Sequence, residues 1–369
     1  MVIIKMKKIL KILFFNFVFL ILGIILIEIF FGKWIYKNNY GSLLIPNQSI
    51  SVINQPYYDK NKTYIHSWDK NGFRANNYKL EDIDILVIGG STTAEKFIDD
   101  NHIWTKVFER KIKHTKLKVL NAGIGGQTVY GHNKMFDLWF SNFEELSPQY
   151  VLIYLGINDA IKVHENFLNK NFDIKDNNYS RIRNDNLETI SLTKKITQYI
   201  KNNSVFHLLY LIIRSSYVAN KYNINNSNSV KLYDDNIIRK NNDKINLNQE
   251  LDEEKKRVIK NFLPLFEKNI ISIIKKVENL SAEPIFVTNL IPTDENADEF
   301  SKLLLTYLDP INDSTIKTCK KLEITCFDLR QKIELIYTED FYDAIHTTPK
   351  GSAKIGTLIS EMFINYLQK

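Results

Sequence analysis

From Ile12 to Phe31 the chain is apolar at every position except Asn16 and Glu28. A helix rising about 1.5 Å per residue over that stretch matches the roughly 30 Å hydrocarbon core of a bilayer. No polar stripe runs along it, which argues against a helix half-buried in a soluble core. The run is longer than the apolar part of a secretory leader, and no small-x-small cleavage site follows Phe31. The pattern therefore predicts an uncleaved transmembrane anchor over 12–31. Glu28 falls within a turn of its end, and Trp34 and Tyr36 fall where headgroups lie.

Residues 32–80 are polar, aromatic and turn-rich without a sustained period, and read as a juxtamembrane linker ending in DKNGFRANNYK (69–79). Short apolar, β-branched runs then alternate with helical patterns. DILVIGG (84–90), LKVLNAG (117–123), YVLIYLG (150–156), EPIFVTNLIP (283–292) and EITCFDL (323–329) read as five buried strands. Helical spacing covers about 101–114 and 253–279, with Pro264 expected to kink or restart the second, and a final helix follows Gly351. Between the third and fourth strands lies a polar and helical insert at about 162–250. It contains the apolar stretch 204–218, a core, lid or membrane-touching segment. Strands alternating with helices imply an α/β fold with a parallel sheet covered on both faces.

Charge sharpens the membrane reading. The chain carries +7 overall, of which the first forty residues hold +5 and the remainder +2. A nucleic-acid partner would require the excess on the folded domain, so none is expected. Four lysines before the apolar run place residues 1–11 in the cytoplasm and everything after the anchor outside it. The two cysteines, Cys319 and Cys326, form no metal-binding spacing. Outside the cytoplasm they are able to pair; the simpler reading is two small core residues.

In an open parallel sheet the ligand site lies at the carboxyl ends of the strands. Every unusual cluster here falls there: GGSTT (89–93), NAGIGGQT (121–128), GINDA (156–160) and DAIHTTPKG (343–351). Singly these are weak. A glycine pair is usually a turn, Asn158-Asp159 resembles a helix cap, and NAGIGGQT lacks the third glycine of a dinucleotide loop. Together they supply a hydroxyl, flexible amides, a carboxamide and an Asp/His pair, the parts needed for acyl transfer. Ser91 is the expected nucleophile and His346 the base that takes its proton. Asp343 holds the imidazole in the right tautomer. The amides of Ser91 and Gly126 and the side chain of Asn158 form the oxyanion hole. His102, His114, His132, His164 and His207 read as surface or packing residues, and His66 lies in the linker.

These four blocks resemble the SGNH (GDSL-like) hydrolase family, through Ser91, Gly126, Asn158 and the Asp343/His346 block with Gly351 five residues beyond His346. The resemblance covers about 84–367 without the insert. It implies a three-layer α/β/α domain over 81–369 with a five-stranded, flavodoxin-like sheet. The upstream DKNGFRAN and the anchor with its late glutamate look like a membrane-tethered subgroup. The family's Gly-Asp-Ser is here Gly89-Gly90-Ser91, so the aspartate before the nucleophile is missing. The implied activity is acyl-ester hydrolysis, or transfer of the acyl group to a surface glycan by the same groups, without metal or organic cofactor. A non-catalytic glycan-binding scaffold would be expected to have lost triad members, and this chain keeps them all.

Overall fold

Helix α1 runs Val2–Phe31, and its stretch Leu10–Phe31 is long and apolar enough to cross a membrane. Its large side chains, Phe14, Phe19 and Phe30 among them, face outward, unlike those of a core helix. At its end the Glu28 carboxylate accepts from Trp34 Nε1 (2.9 Å), from the Ser204 hydroxyl and from the Val205 amide (3.1 Å). The computed structural model describes residues 2–32, 34, 44, 48–53, 63–169, 249–330 and 332–368, with 193, 197, 200, 204–207 and 209–210. Most of the expected insert, and of the apolar stretch 204–218, lies outside the described residues. The chain divides into two units, Met1–Ser42 with Asp185–Leu232, and Leu43–Asn184 with Tyr233–Lys369.

The second unit begins inside what the pattern predicts as linker. Strands β1 (Gln48–Ile53) and β2 (Thr63–Trp68) pair antiparallel, with Ile50 opposite His66. Asp69 then turns the chain by accepting from the Asn71 and Phe73 amides (2.8 and 2.9 Å). The turn returns Phe73 to stack on Trp139 at 4.5 Å, fully buried. Hydrophobic burial and turn hydrogen bonds tie 63–79 to the sheet domain. His66, expected in a linker, is buried, and burial lowers its pKa to about 4.

Five parallel strands follow: β3 (Ile85–Gly89), β4 (Val119–Gly123), β5 (Tyr150–Leu155), β6 (Glu283–Thr288) and β7 (Thr325–Phe327). Their order is β4-β3-β5-β6-β7. Each falls within an expected run; β4 ends with its run at Gly123, and the other four stop earlier, because the residues at those run ends form loops or open the next helix. The helices are α2 (Ser91–Ala94), α3 (Trp104–Lys111), α4 (Val129–Leu138), α5 (Ile157–Leu168), α6 (Gln249–Asn279), α7 (Glu299–Leu322), α8 (Tyr337–Asp340) and α9 (Pro349–Leu367).

On one face of the sheet Ile85, Val87, Leu152 and Ile285 pack with Trp104 and Phe108 of α3 and Ile359 and Phe363 of α9. The alternate residues Leu86, Ile88, Val151, Ile153 and Phe286 are equally buried. On that side α6 and α7 pack on β6 and, with α4 and α5, on one another. This is the three-layer α/β/α architecture with a flavodoxin-like strand order. The helix α6 continues through Pro264 instead of restarting there. The α7 helix has no counterpart among the elements expected from the pattern.

Cys319, near the end of α7, and Cys326, in β7, form a disulfide with their Cα atoms 6.1 Å apart. The left-handed conformation of Glu323 (φ +58°) turns the chain between them. The simpler reading of two unbonded core cysteines is thereby replaced by its alternative.

Candidate active site

The strand order reverses direction at β3, whose neighbours β4 and β5 leave it on opposite sides. Ser91 follows β3 directly, Gly126 follows β4 and Asn158 follows β5, so three loops meet at the topological switch point. Ser91 opens the single turn α2, whose N-cap is Gly90 and whose last bond runs from the Glu95 amide to the Ser91 carbonyl (2.8 Å). The β4 loop can lie against that turn because position 123 is glycine. A Cβ there would stand 2.7 Å from the Thr93 carbonyl carbon and 2.8 Å from the Ala94 Cα.

The Asp343/His346 segment approaches from the other end of the chain, between α8 and α9. Asp343 Oδ1 accepts from the amides of Ile345 (2.9 Å) and His346 (2.8 Å), which closes a tight turn. Its other oxygen, Oδ2, lies 2.7 Å from His346 Nδ1. An ionised carboxylate only accepts, so Nδ1 carries the proton and Nε2 is left as an acceptor. That Nε2 lies 2.8 Å from Ser91 Oγ. The Tyr342 ring stacks on the imidazole, 5.6 Å between centroids and 8° between planes.

The oxyanion candidates border the same serine. Gly126 takes φ +75°, and at Gly125 the loop passes so that a Cβ would lie 3.7 Å from Ser91 Cβ. The Asn158 carboxamide lies against Gly90. Ser91, Gly126, Asn158, Asp343 and His346 are all partly exposed, while Thr92, Thr93, Gln127, Asp159 and Thr347 beside them are buried. The candidate groups are thus accessible above a buried floor. Hydrogen bonds join Ser91, His346 and Asp343, while Asn158 borders Gly90 and Gly126 follows Gly125, the loop residue that borders Ser91.

Other polar groups at this site gave no signal in the sequence. Glu95, buried at 4% exposure, accepts from the Trp104 amide (2.6 Å), Thr347 Oγ1 (2.9 Å) and Ser352 Oγ (2.7 Å). Burial pushes its carboxyl up to about 7 against the pull of those bonds. Asp159, beside Asn158 and wholly buried, accepts from the Val129 amide at the start of α4, with both oxygens at 3.1 Å. Burial raises its pKa to about 8. His132 in α4 is also buried, and burial lowers its pKa to about 3. Among the described residues no cluster of His, Cys, Asp or Glu is arranged to hold a metal ion. A cleft of about 370 Å³ at the ends of β6 and β7 is lined by Asn289, Leu308, Asn312 and Arg330 among others, and Ser91 does not line it.

No family model and no curated protein matches the chain. Solved structures similar to it include a GDSL-like lipase from Bacteroides thetaiotaomicron, at 12% identity and TM-score 0.40, covering 79% of this chain and 92% of that one. A member of the lipolytic protein G-D-S-L family from Veillonella parvula is similar at 12% identity and TM-score 0.39, over 76% and 98% of the two chains. The lipase/acylhydrolase from Enterococcus faecalis is similar at 14% identity and TM-score 0.40, over 76% and 95%.

Proposed function

We propose that this chain is a membrane-anchored serine acyl-ester hydrolase of the SGNH type, acting outside the cytoplasm. The observation that carries the reading is the linear relay Asp343–His346–Ser91, with contacts of 2.7 and 2.8 Å on the two imidazole nitrogens. The Ser91 hydroxyl attacks the ester carbonyl as Nε2 of His346 takes its proton. Asp343 stabilises the resulting imidazolium and fixes the ring orientation. The negative charge developing on the carbonyl oxygen is met by the amides of Ser91 and Gly126 and by Nδ2 of Asn158. His346 then returns the proton to the leaving alcohol. Water, activated by the same imidazole, cleaves the acyl-enzyme. No step calls on a metal or an organic cofactor.

The location rests on separate observations. The four lysines ahead of Ile12, in the first turns of α1, favour a cytoplasmic amino terminus, and the Cys319–Cys326 disulfide fits an oxidising compartment.

The reading is tested by reacting the purified protein with a fluorophosphonate and mapping the modified residue by mass. Modification at Ser91 is expected. Ser91→Ala should lower turnover of a short-chain aryl ester on the order of 10⁴-fold or more. Wild-type turnover in that variant, or labelling elsewhere, ends the assignment. Running the assay with and without a glycan acceptor separates hydrolysis from acyl transfer.

A further inference from the structure

Thr347 stands next to His346 in sequence, and Glu95 stands at the end of the turn that Ser91 begins. Their side chains meet: Thr347 Oγ1 donates to Glu95 Oε1 at 2.9 Å. The same oxygen accepts from Ser352 Oγ in the first turn of α9 (2.7 Å), and Oε2 accepts from the amide that opens α3 (2.6 Å). One buried carboxylate therefore joins the nucleophile turn, the histidine loop and the two helices that cover that face of the sheet. The groups bonded to it are donors, so the site is built around an acceptor at this point. Glu95 also holds a left-handed backbone (φ +42°, ψ +52°), a conformation that a residue with a Cβ adopts only when its surroundings enforce it.

The Ser91–His346 contact joins segments 255 residues apart, one the isolated single turn α2 and the other the loop between α8 and α9. Loops hold catalytic geometry only as well as their supporting shell does. Asp343 orients the imidazole within its own loop and does nothing to fix that loop against α2. The bond from Glu95 to Thr347 does so directly, one residue from the base and four from the nucleophile.

We propose that Glu95 is a positioning residue that sets the distance between Ser91 and His346 by tying the nucleophile turn to the histidine loop through Thr347 and Ser352. The inference rests on the serine-hydrolase reading above. Its consequence is that Glu95 acts on the rate of Ser91 chemistry in each molecule, while the substrate-facing surface is left alone.

The test uses the full-length chain with a short-chain aryl ester and a fluorophosphonate. Glu95→Ala is expected to lower kcat about 10- to 100-fold, the effect of misplacing reacting groups by an ångström or less, with KM within about threefold. The rate of Ser91 labelling falls in parallel, yet labelling at saturation still reaches one per chain. Glu95→Gln restores most of the rate, because the two hydroxyls can turn to accept from its amide while its oxygen serves Trp104. Thr347→Val breaks the same tie from the other side and carries the test if Glu95→Ala fails to fold. In a folded Glu95→Ala background it should add no further loss, since Glu95→Ala already removes the bond that Thr347→Val breaks. Wild-type kcat in Thr347→Val and Glu95→Ala overturns the inference and leaves the hydrolase reading standing. So does a reduced saturating fraction with an unchanged labelling rate, which marks a merely structural loss. Absence of Ser91 labelling in the wild-type chain overturns both.

Discussion

The space that a side chain on Gly90 would enter is filled by the carboxamide of Asn158. The backbone at Gly90 is extended (φ −82°, ψ −150°), so alanine is permitted there by its torsions and opposed only by that contact. Gly90→Ala should push the Asn158 nitrogen away from the proposed oxyanion position. The carboxamide is the free end of a side chain and can swing, so the cost falls on catalysis. Loss of one such donor lowers kcat roughly 100- to 1000-fold. Ester turnover and a thermal melt, run together, should show a slow enzyme of near-normal stability.

Arg74 fastens the segment before the sheet to the loop after the nucleophile. Its guanidinium donates to the carbonyls of Ser67 (3.2 Å), Ala94 (3.1 Å) and Ile98 (2.6 Å), pairs with Asp100 and lies 4.9 Å from the centre of the Trp68 ring. Removing it takes the cation from Asp100, which keeps only its bonds from the Ser67 amide and hydroxyl, and strands buried carbonyls. Arg74→Ala is therefore expected to cost about 3 kcal/mol or more of stability, the range found when one partner of a buried pair is deleted. Lysine should recover little, since one ammonium cannot span partners arranged around a planar fork. Denaturant unfolding of both variants measures this.

The strands and the candidate site residues were legible because each left a local mark. Ile85–Gly89 and Tyr150–Leu155 are short β-branched or aromatic runs ending at glycine, and Asp343 lies a fixed three residues from His346. What stayed hidden depends on distant partners. Glu95 is an ordinary acidic residue in sequence, and only the return of Thr347 and Ser352 makes it a buried hub. Arg74 sits in a turn-rich stretch whose alternation is too brief to register as β1 and β2. Helix α7 escaped because Pro310 and a run of Asn, Asp, Ser and Thr break its pattern. Its apolar positions Leu304, Leu308 and Ile311 nonetheless keep helical spacing.

Asp159 makes stability depend on pH in a direction opposite to that of a salt-bridged carboxylate. Burial raises its pKa from 3.8 to about 8, so between those values the folded chain holds a proton that the unfolded chain has released. Its contribution is complete at pH below the unfolded value and is lost as pH rises through the folded one. Asp159→Asn keeps an oxygen for the Val129 amide and removes the titration. The variant should gain on the wild-type chain steadily from pH 5 to pH 8. Melting temperatures across that range check it, and a gap that stays constant or narrows would contradict the assignment.

The disulfide supplies the test of topology. Cys319 and Cys326 are seven residues apart, and closing so short a loop stabilises a fold by about 2–3 kcal/mol on chain-entropy grounds. A reducing cytosol would keep the pair open, so the bond's formation in the cell reports which side of the membrane the domain occupies. Placed outside, the native chain should resist maleimide until it is both denatured and reduced, and reduction should lower its melting temperature. Protease added after permeabilising any outer layer should digest the domain and spare the cytoplasmic residues 1–11. Free thiols in freshly isolated protein, together with a domain cut only after lysis, would place the catalytic unit in the cytoplasm. In that case the lysines ahead of Ile12 would have to be outweighed by another topological determinant, and the proposed extracytoplasmic ester would no longer be within reach of Ser91.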